Sequence, residues 1–197
     1  MRYFEAPIIA GAFKGKKIRI PDIATTRSSK SILRESLFDT LQFDVVDAPF
    51  VEVFAGSGSV GLEALSRGAS HGYFLERNRE VFAMLQSNIQ HVAPERATAI
   101  LGDSFESFPS VLKRLEGEGV PGYFYFDPPF STREGMEDMY DKTIDLIKQI
   151  DVSLCKRVII EHMSRLTLPE TVGALSRKKQ KRFGKSTLSY YTPEARV

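Results

Sequence analysis

Asp127-Pro128-Pro129-Phe130 follows the aromatic run Tyr123-Phe124-Tyr125-Phe126 and lies 71 positions after Gly56. Each proline lacks an N–H and has its φ fixed, so a central strand cannot run through the pair. The strand must stop at Asp127, leaving a carboxylate, a stiff turn and an aromatic ring at its carboxyl end. In open α/β sheets that edge is where ligands bind. An exocyclic amine on a nucleobase is a poor nucleophile because its lone pair is delocalised into the ring. Asp127 and the Pro128 carbonyl could both accept hydrogen bonds from such an amine, drawing it toward tetrahedral geometry. The freed lone pair would then face a sulfonium methyl for in-line transfer. The gain would come from positioning and from dipoles fixed where charge develops. Phe130 would stack on the base, a contact worth ~1–3 kcal/mol, and a base inside a duplex would first have to be flipped out. The competing roles are a cap or turn former for Asp127 and a core ring for Phe130.

Upstream, Gly56-Ser57-Gly58-Ser59-Val60-Gly61 fits G-x-G-x-x-G between an apolar run and a helical pattern. Glycine permits the sharp turn and lets a ligand approach the backbone. Phe54 and Ala55 lead into this loop, which would hold the cofactor. Glu76 falls 20 residues after Gly56, at the end of the next apolar run, where a carboxylate can accept both hydroxyl hydrogen bonds of a ribose. Asp103, followed by Ser104, ends the run after that and could take an adenine amino group. NAD(P) and S-adenosylmethionine share this geometry. Glu52, inside the first strand, would repel a pyrophosphate but could accept from the ammonium of a methionine group, which favours S-adenosylmethionine. No metal is needed, and His71, His91 and His162 have no ligand spacing. Cytosine C5 chemistry would require a thiol in the site, and the single cysteine, Cys155, lies away from both motifs.

Strands and helices must alternate to bring these groups to one edge. The patterns predict strands at Phe50–Phe54, Gly72–Glu76, Ala97–Leu101, Tyr123–Phe126 and Arg157–Glu161. Helices are predicted at Val60–Arg67, Arg79–His91, Phe105–Leu115 and Met136–Ile150. Before them, Ile8–Gly11 and Phe13–Ile20 read as a short β-ribbon, Thr25–Lys30 as a polar link, and Ser31–Gln42 as a helix with its apolar residues on one face. After them, Leu175–Phe183 and Thr187–Thr192 flank Gly184-Lys185 as a terminal antiparallel hairpin. Tyr190 and Tyr191 could stack on RNA, but alternation should make one of them core. The expectation is one α/β domain over 1–197. Residues 1–45 would form a ribbon-and-helix extension that contacts RNA, and 46–197 a Rossmann-like core.

The net charge of +2 is unevenly laid out. Residues 1–34 hold eight Lys/Arg against two acids, residues 156–197 ten against three, and the centre nine against twenty. Basic ends on an acidic middle suggest that the ends touch a polyanion. Lys14, Lys16, Lys17, Arg27 and Arg34 are the candidates at the start. Lys178, Lys179, Lys181 and Arg182 form the denser cluster near the end. Arg133 could contact phosphate or be an ordinary loop arginine. One cysteine excludes a disulfide framework. No run approaches the ~18 apolar residues of a membrane span, and the start carries no signal-peptide core. A cytoplasmic monomer is expected.

Taken together, these segments resemble the bacterial RsmD-type methyltransferases, which act on guanine N2 in small-subunit (16S) ribosomal RNA. The resemblance runs over nearly the whole chain. Its specific parts are Ile8–Lys17 and Leu62–Ala69; Arg34–Phe38, Phe54–Gly58 and the Asp127 tetrad add to it. It implies a class I methyltransferase fold, S-adenosylmethionine as cofactor, and an rRNA substrate presented in an assembling small subunit. It also implies that Gly56, Ser57, Gly58, Glu76 and Asp103 hold the cofactor while Asp127 to Phe130 face the base. The chain departs from the family at Ser28-Ser29, where Pro-Thr is usual, and at Glu52, where Asp is favoured. Three alternatives remain. An adenine-N6 or cytosine-N4 methyltransferase would use the same tetrad, usually with a sizeable target-recognition domain for which 197 residues leave no room. A nicotinamide oxidoreductase would make the tetrad an accident. A non-catalytic RNA-binding module would bind rRNA without consuming cofactor.

Overall fold

Runs rich in Val, Ile, Phe and Tyr, cut by Gly, Pro and Asp, form ten strands in the computed structural model, which describes residues 2–22, 27–129 and 138–194, with the backbone alone at 27–30. β1 (Tyr3–Pro7) and β2 (Lys17–Pro21) pair antiparallel as a separate ribbon. The central sheet holds β3 (Phe50–Val53), β4 (Gly72–Glu76), β5 (Ala97–Leu101), β6 (Gly122–Phe126), β7 (Cys155–Met163), β8 (Thr171–Val172), β9 (Leu175–Phe183) and β10 (Ser186–Pro193). Their order is β5-β4-β3-β6-β7-β10-β9-β8. The first five run parallel, and the last three are antiparallel additions at one edge. Strand order reverses between β3 and β6, the switch point at which such sheets open a ligand crevice.

Among the described residues five α-helices cover the two faces: α1 (Arg27–Leu41), α2 (Ser59–Ser66), α3 (Arg79–Val92), α4 (Ser104–Glu118) and α5 (Met139–Ile147). One core layer joins Leu33, Leu37 and Phe38 of α1 and Leu62 and Leu65 of α2 to Phe74, Tyr125, Ile159 and Tyr190. The opposite layer joins Phe108, Val111 and Leu115 of α4 and Leu146 of α5 to Val51, Phe124, Phe126 and Tyr191. Side-chain caps start two of these helices. Asn78 Oδ1 accepts from Glu80 and Val81 N–H ahead of α3, and Asp103 accepts from Phe105 N–H ahead of α4.

Four expectations need correction. The ribbon strands are Tyr3–Pro7 and Lys17–Pro21, so Ile8–Lys16 is their connection and not a strand; side chains of α2 hold its backbone, as described below. α1 begins at Arg27, so most of the polar link expected over Thr25–Lys30 is helix. The fifth helix starts at Met139 and ends at Ile147; Met136 and Arg133 lie outside the described residues. Tyr190 and Tyr191 are both buried, at 2% and 0% exposure. Alternation does send them to opposite faces, but helices and loops cover both faces there, and Tyr191 Oη donates to the Pro169 carbonyl at 2.7 Å.

Candidate active site

The Asp127 N–H reaches the Val53 carbonyl at 3.5 Å, the last rung between β6 and β3 before Pro128-Pro129. On the other side of the switch point the chain leaves β3 through Phe54, whose φ is +64°. A non-glycine residue in this left-handed region costs of order 1 kcal/mol or more and clusters at functional sites. Packing edge-on against Phe105 at 5.5 Å holds its ring. The loop then turns so that the Gly58 N–H donates to the Ala55 carbonyl at 2.8 Å. Gly58 sits at φ +77°, and a Cβ there would lie 2.5 Å from Leu85 Cδ1. Among the described residues, a Cβ on Gly56 would meet no atom within 4 Å, so that side of the loop faces a cleft.

That cleft has a volume of about 800 Å³, and its lining includes Ala55, Gly56, Glu76, Tyr125, Asp127 and Pro129. The glycine loop and the acid-proline corner thus share one crevice. Phe130 lies outside the described residues. The size suits a nucleoside-containing cofactor, and the donor set fits S-adenosylmethionine: an open glycine turn with carboxylates on both sides. Among the described residues no group of three or more His, Cys, Asp or Glu could hold a metal ion. Cys155 begins β7 at the opposite end of the sheet from Asp127, and burial pushes its thiol up to about 12.

Glu52 is buried in β3 and accepts from the N–H groups of Gly61 at 2.8 Å and Val60 at 3.3 Å, in the first turn of α2. The helix N-terminus favours negative charge there. Burial outweighs those two hydrogen bonds and, with some help from Asp127, raises the Glu52 pKa to about 8. At neutral pH the group is therefore mostly protonated, and it anchors the loop as well as lining the cleft. Glu76 fixes the other side of the loop: its oxygens accept from Gly56 N–H at 2.9 Å and Asn78 N–H at 2.7 Å. Ser57 is buried, and its carbonyl accepts from Asn88 Nδ2 on α3 at 2.9 Å. Asp103 caps α4 through one oxygen and has the other 3.7 Å from Arg77 Nη1. Neither Asp103 nor the buried Ser104 belongs to the cleft lining.

Sequence reasoning missed Glu63, a lone acid in the apolar helix α2. Fully buried, it accepts from Ile9 N–H at 2.8 Å, Ala10 N–H at 3.0 Å and Arg67 Nε at 2.9 Å. One turn on, Ser66 Oγ donates to the Ala10 carbonyl at 2.6 Å and accepts from Phe13 N–H at 2.9 Å. Gly11 passes so close that a Cβ would sit 1.9 Å from the Ser66 carbonyl oxygen, at a φ of +85°. These contacts hold the ribbon's connection against α2. The two stretches Ile8–Lys17 and Leu62–Ala69 thus dock on each other.

The basic residues divide. Arg34 is a correction: it is 5% exposed, Nη2 donates to the Pro7 carbonyl at 2.9 Å, and Nε lies 3.9 Å from Glu63. It braces the ribbon beside the cleft and is no surface RNA contact. Burial lowers its pKa, opposed by Glu63 and Glu52. Lys14, Lys16 and Lys17 are exposed; Lys16 Nζ donates to the His91 carbonyl, and Lys17 lies 3.6 Å from Glu5 across the ribbon. Lys178, Lys179 and Arg182 are exposed on β9, and Lys181 Nζ donates to Ser36 Oγ of α1 at 3.0 Å. The register pairs Lys179 with Tyr190 and Lys181 with Leu188, so both share the face covered by α1. The basic end of the chain therefore packs beside α1, whose Ser31, Leu33 and Arg34 line the cleft. The Arg27 side chain lies outside the described residues.

The family described as "Conserved hypothetical protein 95" matches residues 6–192. Ribosomal RNA small subunit methyltransferase D of Escherichia coli (strain K12) is 35% identical over 142 residues, 72% of this chain and 66% of that relative's length. YlbH of Bacillus subtilis (strain 168), named a candidate rRNA methyltransferase, is 27% identical over 93% of this chain and 97% of its own. The solved structure of yhhF from Escherichia coli, described as a candidate methyltransferase, superposes with a TM-score of 0.74 at 29% identity, covering 98% of this chain and 100% of that one. The fold is that of the S-adenosylmethionine-dependent methyltransferases.

Proposed function

Because this chain belongs to the Conserved hypothetical protein 95 family, we propose that it transfers a methyl group from S-adenosylmethionine to the exocyclic N2 amine of a guanine in small-subunit (16S) ribosomal RNA. The single observation that carries this reading is the shared cleft, lined by Gly56 and Glu76 on one side of the switch point and by Asp127, Pro128 and Pro129 on the other. A bound S-adenosylmethionine supplies an electrophilic methyl on a sulfonium, with a neutral thioether as leaving group. Asp127 and the Pro128 carbonyl accept the two N–H bonds of the amine and point its lone pair at the methyl carbon. As the N–C bond forms the nitrogen gains positive charge, which Asp127 stabilises, and it then loses a proton to Asp127 or solvent. Gly56, Ser57 and Gly58 let the cofactor approach the backbone, and Glu76 accepts from ribose hydroxyls. Lys14, Lys16, Lys17, Lys178, Lys179, Lys181 and Arg182 provide the cationic surface for RNA phosphates.

Incubation with labelled cofactor and small-subunit rRNA or assembling subunits, followed by nucleoside digestion, should yield labelled N2-methylguanosine. Label in N6-methyladenosine or N4-methylcytidine would overturn the base assignment, and no label at all would overturn the reaction. In the same assay, neutralising Lys178, Lys179, Lys181 and Arg182 should weaken rRNA binding and flatten its salt dependence, since fewer counterions are released. An unaltered salt slope would remove β9 from the RNA surface.

Glu52 makes cofactor binding a protonic event. A methionine ammonium beside it favours the carboxylate, so the raised pKa falls on binding and a proton leaves. Calorimetry at pH 7 in buffers of different ionisation enthalpy should show release approaching one proton per site. Affinity should rise with pH until about 8, where the group is already ionised in the free protein. Buffer-independent heats would place the ammonium elsewhere.

A further inference from the structure

Asp127 is not the only acid at the base side of the cleft. β6 and β7 pair in parallel with Phe126 opposite Ile160, so the next residues, Asp127 and Glu161, follow each other across the two strands. Tyr125 and Ile159 face the α1 layer, Phe126 and Ile160 the opposite one. By alternation, Asp127 and Glu161 both face the α1 layer. Glu161 lines the same cleft as Asp127 yet is 1% exposed, and its Oε2 accepts from Tyr125 Oη at 2.6 Å. Burial, together with Glu161, Asp127 and Glu52, keeps the Tyr125 phenol protonated well beyond its ordinary range, so it is a constant donor that orients this carboxylate. Inside β7, Glu161 breaks the apolar run Val158-Ile159-Ile160 with a buried acid.

Sheet order assigns the two sides of Asp127. On one side lie β3 with the glycine loop and β4 with Glu76; on the other lies β7 with Glu161. If the cofactor occupies the β3–β4 side, the amine on Asp127 must belong to a base reaching toward β7. In guanine the group next to the N2 amine on the ring edge is N1–H, a donor. In adenine and in 2-aminopurine, N1 carries a lone pair instead. A carboxylate facing that position accepts from guanine and repels the others.

We propose that Glu161, oriented by Tyr125, accepts the N1–H of the target guanine and is the specificity-determining residue for that base. This inference rests on the guanine-N2 reading above. Buried polar groups left without their partner are what let such sites reject close analogues, by factors on the order of 10⁴ in favourable cases.

The test compares reconstituted small-subunit particles carrying either guanosine or 2-aminopurine riboside at the mapped target position. Both have the exocyclic 2-amine; only guanine has N1–H. The wild-type protein should methylate the guanosine particle at least ~100-fold more efficiently. Glu161→Gln, whose amide can either accept or donate, should bring the two within about tenfold. Its melting temperature and S-adenosylmethionine affinity, read alongside, should stay near wild type. A merely structural role for Glu161 would slow both substrates together and leave their ratio unchanged. Glu161→Asp, which withdraws the carboxylate by one methylene, is the second variant if the amide does not fold, and it too should narrow the ratio. Equal wild-type rates on the two particles, or an undiminished ratio in the folded variant, would overturn the role of Glu161 while leaving N2 methylation intact. Absence of N2-methylguanosine from the wild-type reaction would instead remove the reading on which the inference rests.

Discussion

Asp127→Ala should abolish methyl transfer, with kcat down by about 10³ or more, while S-adenosylmethionine still binds within a few-fold of wild type. The expected size follows from the two jobs the carboxylate performs. It accepts from the amine and so aims the lone pair, and it stabilises the positive charge that develops on nitrogen; positioned groups of either kind are worth roughly 10²–10⁴ in rate. The alanine variant loses both, because the Pro128 carbonyl alone cannot fix a two-donor amine. Asp127→Asn keeps an acceptor but neither the charge nor the capacity to take a proton, so it should fall between. Cofactor affinity is spared because the loop is held from the other side, by Glu52 through Val60 and Gly61 and by Glu76 through Gly56. Removing Asp127 also removes one of the influences that raise the Glu52 pKa, which would help a cationic ligand. Single-turnover rates with titrated cofactor separate the two effects. Normal methylation by Asp127→Ala would transfer the catalytic role to another group.

The largest effect on stability is expected far from any substrate, at Glu63. Glu63→Ala strips the acceptors from Ile9 and Ala10 N–H, takes a partner from Arg67, and removes the carboxylate that lies 3.9 Å from the buried Arg34 Nε. Removing one member of a buried, hydrogen-bonded ion network costs about 3–5 kcal/mol, much of it the penalty on the charge left behind. For a chain of this size that is a fall in melting temperature of roughly 10 °C. Glu63→Gln should lose less, since its carbonyl oxygen can still accept one of the two N–H groups. Chemical denaturation followed by circular dichroism measures both. A loss below about 1 kcal/mol would mean that Ser66 and the Gly11 approach hold the ribbon without Glu63. Because Arg34 braces the ribbon at Pro7 and also lines the cleft, the alanine variant should lose some cofactor affinity even below its melting temperature. That loss distinguishes a brace for the site from mere bulk stability.

The amino-acid sequence by itself determined the alternation of strands and helices and the local form of the glycine loop and of the Asp127-Pro128-Pro129 turn. Those features depend on local rules. Period-two and period-3.6 patterns, a Pro-Pro pair that ends a strand, and glycines before a helix act within a few residues. β4 was legible to the residue, and β6 ended at Phe126 as Pro128-Pro129 require. Tertiary structure alone decided which charges are structural. Arg34, read as an RNA contact, is buried because the ribbon's Pro7 carbonyl and Glu63 converge on it from segments 27 and 29 residues away. Both Tyr190 and Tyr191 became core because covering elements closed over both faces of an edge strand, which alternation cannot foresee. Glu63 and Glu161 each interrupt an apolar run, and that interruption was the only sequence signal available. What an isolated acid accepts from depends on which distant backbone or ring the fold delivers to it, and no spacing rule encodes that partner.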